Sequence, residues 1–151
     1  MWGERGGRPR AVRQTEYQWA YVFGAVDPVS GKSSALIAPT VNTKLMGDHL
    51  KMICEEAGVD THVVLVLDGA GWHKANKLKV PVNMTLLFLP PYSPELMPME
   101  RVWAWMRQHD LSNRVFVDAE EIDRACATSW NKLTHERLRS ITKTKWLTHE
   151  N

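Results

Sequence analysis

Two carboxylates stand out in this chain because of what surrounds them. Asp68 closes the apolar run Val63-Val64-Leu65-Val66-Leu67 and is followed by Gly69, Gly71 and His73. Glu100 closes the block Leu89-Pro90-Pro91-Tyr92-Ser93-Pro94-Glu95-Leu96-Met97-Pro98-Met99, and 31 residues lie between the two acids. In α/β sheets, ligands bind at the carboxyl ends of the strands. Glycines beside an acid let the backbone approach a ligand closely. Each proline of the block fixes φ and stops a strand from continuing, and Pro98 suits the first position of a helix. A rigid turn would carry the chain from a strand end to a helix start and aim Glu100 into the crevice beside Asp68. Acids gathered in this way hold divalent metal, and Mg²⁺ prefers oxygen ligands. Each acid also has a plain structural reading. Asp68 alone fits a strand-end turn, and Glu100 alone fits a third helical residue that favours the helix dipole. Gly69-Ala70-Gly71 is a weak phosphate loop, since it lacks both a third glycine and the Lys-Ser/Thr of a P-loop.

The elements that must position the acids follow from patterning. Gln18–Val26 is β-branched and aromatic, Asp27–Lys32 is a turn, and Ser33–Ala38 is a second strand, so the two strands form a hairpin. Met46, Leu50, Ile53, Cys54 and Ala57 recur at helical spacing over Thr43–Ala57, with Asn42 or Thr43 as cap and Gly58 as stop. Val63–Leu67 and Met84–Leu89 are short continuous apolar runs, as in strands buried on both faces of a sheet. Lys74–Lys79 reads as a short helix ending near Pro81. Pro98–His109, Ala119–Leu133 and Thr134–Thr142 read as three more. A hairpin followed by strands alternating with helices predicts an α/β sheet covered by helices.

The Asp-Gly-Ala-Gly-Trp-His segment at 68–73 and the proline block ending at Glu100 resemble the mariner-like transposases of bacterial insertion sequences, within the DDE superfamily of endonucleases. Tyr21–Gly31 is similar to that family's second strand and turn, and Glu100-Arg101-Val102-Trp103 to its helix start. The resemblance implies an RNase H-like mixed sheet flanked by helices. It also implies metal-dependent cleavage and strand transfer of DNA at a two-metal site holding Mg²⁺, with Mn²⁺ as the alternative. One ion activates the attacking oxygen and the other stabilises the leaving oxygen. Asp68 would bridge the ions, Glu100 would bind one, and His73 would sit behind them or touch a phosphate.

Two departures from the family pattern matter. The family's first acid lies on a central strand that precedes the segment beginning at Met1. Asp27 in a hairpin turn, and Glu4 and Glu16 on an arm, are poor substitutes for it. The expected fold is therefore one that misses its first, central strand, completed by an upstream polypeptide or left poorly stable. The expected function is the catalytic part of a transposase. The alternative is an inactive fragment that binds DNA or a full-length transposase. The second departure is Met97, which stands where the family has a capping Asn.

Composition sets the frame. With 151 residues, the chain suits one domain: residues 1–16 as a basic arm, 17–147 as the endonuclease domain and 148–151 as a tail. No apolar run approaches a membrane span. The two cysteines, Cys54 and Cys126, are far apart and read as buried reduced thiols of a bacterial cytoplasmic, nucleoid-associated protein. Basic ends flank an acidic centre, which suits a polyanion partner. Arg5, Arg8, Arg10, Arg13, Arg101 and Arg107 are the phosphate candidates. DNA is the expected partner, with a homodimer as a further expectation.

Overall fold

The computed structural model describes residues 19–69 and 76–147. The basic arm, with Arg5, Arg8, Arg10 and Arg13, lies outside the described residues. So do His73 and the four-residue tail.

Strand β1 (Tyr21–Val26) pairs antiparallel with β2 (Ser33–Ala38), Tyr21 opposite Ala38 and Val26 opposite Ser33. The turn between them is closed by Asp27. One carboxylate oxygen accepts from the Val29 N–H at 2.9 Å, and the other accepts from the Ser30 hydroxyl at 2.6 Å. Gly31 follows at φ 77°, where a Cβ would lie 2.2 Å from the His135 carbonyl oxygen. Only glycine fits both that backbone and that approach. Asp27 is thus engaged by its own turn.

Helix α1 (Thr43–Ala57) starts where the Asn42 side chain accepts from the Leu45 N–H at 2.8 Å. It stops at Gly58, φ 99°, whose N–H bonds the Cys54 carbonyl. Both ends lie where the sequence put them. Strand β3 (Val63–Leu67) pairs in parallel with β4 (Met84–Phe88), Val63 opposite Met84 and Leu67 opposite Phe88. Of the expected helix at 74–79, the described part holds only a turn at Asn76 and Lys77.

Helix α2 (Met99–Met106) runs on into a π turn over Arg107–Leu111. Helix α3 (Ala119–Asn131) is capped by Asp118, which accepts from the Glu121 N–H at 2.8 Å. Helix α4 (His135–Thr142) is capped by Thr134.

The result is a small α/β fold in which one antiparallel and one parallel strand pair are flanked by four helices. Parallel and antiparallel strand pairs are both present, as a mixed sheet requires, but they are not joined. Among the described residues, β1–β2 and β3–β4 form two separate two-stranded sheets. Among the described residues, no strand bonds both β1 and β3. The expected burial on both faces also fails in part, since Val64 is 59% exposed.

Two cores hold the fold. Met46, Leu50, Ile53 and Cys54 of α1 pack with Leu67, Met84, Phe23 and Ala25, so α1 covers one face of both sheets. Met99, Val102 and Met106 of α2 pack with Leu133, Leu138 and Trp130, and Val26 reaches them from the other face of β1. Strand alternation explains the split, as odd positions of β1 face α1 and even positions face α2.

Candidate functional site

Asp68 stands directly after Leu67, at the carboxyl end of β3, and its side chain is exposed. The parallel pairing persists one step beyond the strand, where the Leu89 N–H bonds the Leu67 carbonyl at 2.9 Å. Both strands therefore end together, and the proline block leaves from the same edge as Asp68.

That block is ordered by its own bonds. Tyr92 adopts φ 57°, and the Ser93 hydroxyl donates to the Pro91 carbonyl at 3.3 Å. Pro94–Leu96 form one 3-10 turn, closed by the Leu96 and Met97 N–H groups on Ser93 and Pro94. Met97 is extended (φ −95°, ψ 103°), and Pro98 is already helical. The Glu100 N–H bonds the Met97 carbonyl at 3.2 Å. Glu100 is exposed in the first turn of α2. The start of α2 has no side-chain cap, unlike α1, α3 and α4, because methionine offers no acceptor comparable to a side-chain oxygen.

Asp68 and Glu100 line one cavity of about 430 Å³. Its walls are β1, the end of β3, the α1 residues Met46, His49 and Ile53, and Met97, Met99 and Trp103 around the start of α2. The turn thus delivers the second acid to the crevice of the first. A pair of carboxylates is an oxygen donor set that suits Mg²⁺, which is commonly held by one or two carboxylates together with substrate phosphates. Among the described residues, no group of three or more His, Cys, Asp or Glu side chains is placed to hold a metal ion.

His49 was not singled out by sequence. It is 3% exposed on the apolar face of α1, tilted against Phe23 at 6.0 Å between ring centroids, and faces the same cavity. Its Nε2 lies 3.4 Å from the Ser34 carbonyl, an acceptor only, so that nitrogen carries the proton. The signal was a histidine sharing a stripe with Met46 and Ile53.

The two described arginine candidates differ. The Arg101 guanidinium donates to the Ile141 and Lys143 carbonyls at 3.1 and 2.8 Å, tying α2 to the end of α4. Arg107 is exposed in the π turn. Asp110 in the same turn was also missed. It is 13% exposed, paired with the Lys132 ammonium, and accepts from the buried Ser129 hydroxyl at 2.8 Å. The hydrogen bond from Lys132, and then that from Ser129, hold its carboxyl below the usual range.

The DDE superfamily endonuclease family matches residues 1–123. The chain belongs to the DDE superfamily. This DDE-superfamily chain is also similar to "Uncharacterized protein y4pE/y4sA" of Sinorhizobium fredii (strain NBRC 101917 / NGR234). The two are 48% identical over 130 residues, covering 85% of this chain and 96% of the relative. No solved structure matches. Among the described residues, no helix is long and apolar enough to cross a membrane.

Proposed function

We propose that this DDE-superfamily chain serves DNA transposition as a component that binds DNA or a full-length transposase, and does not cut DNA by itself. One observation carries the reading: the described residues bring two carboxylates, Asp68 and Glu100, to one cavity wall, and no third acid joins them. The antiparallel and parallel strand pairs under four helices are consistent with an RNase H-like fold around a gap. Asp68 and Glu100 would hold Mg²⁺, which supplies charge stabilisation to a displacement at phosphorus. Cleavage then belongs to the assembly that adds a further ligand. The other reading, the catalytic-domain portion of a mariner-like transposase, predicts metal-dependent cleavage once the missing strand is supplied.

The test combines a gel shift with a nicking assay in Mg²⁺ and in Mn²⁺, with purified full-length transposase as a second binding target. The expected result is binding to DNA or to transposase without nicking. DNA binding would weaken steeply between low and physiological salt, as phosphate contacts require. Metal-dependent nicking that disappears in both Asp68→Ala and Glu100→Ala would restore the nuclease reading. Failure to bind either target at low salt would reject the proposal.

A further inference from the structure

Tyr92 in the proline block carries a side chain that the fold does not use. It is 101% exposed, so its ring is covered by no other part of the chain. Its backbone sits at φ 57°, in a turn that it forms with Pro91. That region suits glycine or asparagine, and a bulky residue there is an outlier held at a cost. The neighbouring chain enforces it. Pro90 and Pro91 fix φ on one side. On the other, the Ser93 hydroxyl donates to the Pro91 carbonyl at 3.3 Å, and the 3-10 turn at Pro94–Leu96 follows. Glycine or asparagine would turn the chain here with less strain. A stiff turn that instead holds an aromatic ring out in solvent offers that ring to something outside the chain.

The place of the turn says what that partner is. The Leu89 N–H bonds the Leu67 carbonyl, next to Asp68. Tyr92 stands three residues beyond Leu89, so its Cα lies within about 11 Å of that strand end. Stacked nucleotides follow one another at about 3.4 Å along a strand. The ring is therefore within about three nucleotides of a phosphate held at the two acids. The block cannot grip DNA by its phosphates, since its charged residues are Glu95 and Glu100. A base is different, because stacking needs a ring face and no charge. A protein-binding anchor gathers further contacts around it to exclude water, whereas this ring projects alone.

We propose that the Tyr92 ring stacks on one unpaired nucleobase of DNA, close to a phosphate held at Asp68 and Glu100. This deepens the reading of the chain as a DNA-binding component and rests on it for the ligand. The base must be unpaired, because its face is closed off inside a duplex. An overhang or a frayed end presents such a base at little cost. Every base has a π-face, so the contact reads the form of the DNA and not its sequence.

The test uses the full chain and two duplexes of arbitrary sequence, one blunt and one with a three-nucleotide single-stranded overhang containing 2-aminopurine. The parent is expected to prefer the overhang and to quench the 2-aminopurine fluorescence. In Tyr92→Asn the ring is gone and the residue suits the backbone, so the variant should melt at or above the parent temperature. It should bind the overhang about 5- to 150-fold more weakly and lose the quenching. Tyr92→Phe should keep both. The salt dependence should be the same in all three, because stacking releases no counterions. Unchanged overhang binding and quenching in Tyr92→Asn would overturn the proposal and leave the functional reading standing. So would transposase binding that weakens in Tyr92→Asn while the parent binds no DNA, which would make the ring a protein contact. Loss of DNA binding in Tyr92→Phe would assign the contact to the hydroxyl, and a lowered melting temperature of Tyr92→Asn would assign the ring to the fold. Either result also overturns the proposal.

Discussion

Gly24 sits at the middle of β1, on the face that meets α2. A Cβ there would lie 2.6 Å from Cη2 of Trp103, 2.9 Å from Cε of Met99 and 3.0 Å from Cη2 of Trp130. The Met99 methyl can swing aside. The two indole rings cannot, since they pack against each other at 5.9 Å between centroids. Gly24→Ala should therefore push α2 away from the sheet, and Glu100 moves with that helix. Overpacking of this kind costs about 1–3 kcal/mol. Against it, alanine restricts the unfolded chain and returns about 0.4–1 kcal/mol. A net loss of about 1–2 kcal/mol lowers the melting temperature of a chain this size by about 3–6 °C. Thermal and urea melts measure the loss, and near-ultraviolet circular dichroism reports the tryptophan pair. Trp103→Phe removes the ring carrying Cη2, so the double variant should recover about 1 kcal/mol relative to the sum of the singles. A Gly24→Ala protein that melts at or above the parent temperature, or a double variant with no coupling, would refute the account of this contact.

Three further outcomes are expected. Met97→Asn places an acceptor at the uncapped start of α2 and should add about 1 kcal/mol, less what the half-buried methionine gives up in the second core. The melting temperature should rise by about 1–2 °C, and an unchanged or lower value would sink the capping argument. Asp110 has its carboxyl depressed in the folded state by Lys132 and Ser129. Its contribution is therefore present above the ordinary aspartate value near pH ~3.9, and is lost as pH falls through the lower folded value. Urea midpoints of the parent should drop over that acid window while those of Asp110→Asn drop less; parallel curves would contradict the pairing. Burial pushes both the Cys54 and Cys126 thiols up, so a thiol reagent at neutral pH should label them slowly until urea unfolds the chain. Immediate labelling of the folded protein would show that one of them is open to solvent.

Much of this architecture is legible in the sequence because its punctuation is local. Asn42, Gly58, Asp118 and Thr134 each end or begin a helix through bonds made within a few residues, so spacing alone finds those boundaries. The same holds for the proline block, whose stiffness comes from its own φ restrictions. What escaped depends on partners distant in sequence. The π turn at Arg107–Leu111 looks like ordinary helix until Asp110 is seen reaching Ser129 and Lys132 on α3. His49 looks like a polar interruption of a helix until Phe23 and Ser34 surround it. Arg101 looks like a surface cation until the carbonyls at the end of α4 claim it.

The edges of β1 and β3, which pair with no further strand among the described residues, also bear on how the chain behaves in quantity. An edge that accepts a partner's strand accepts a misplaced one as well, and Val64 adds an uncovered apolar side chain next to it. At high concentration, chains that meet one another edge to edge through these strands would leave solution. The same edges would then limit how much of the chain accumulates in solution.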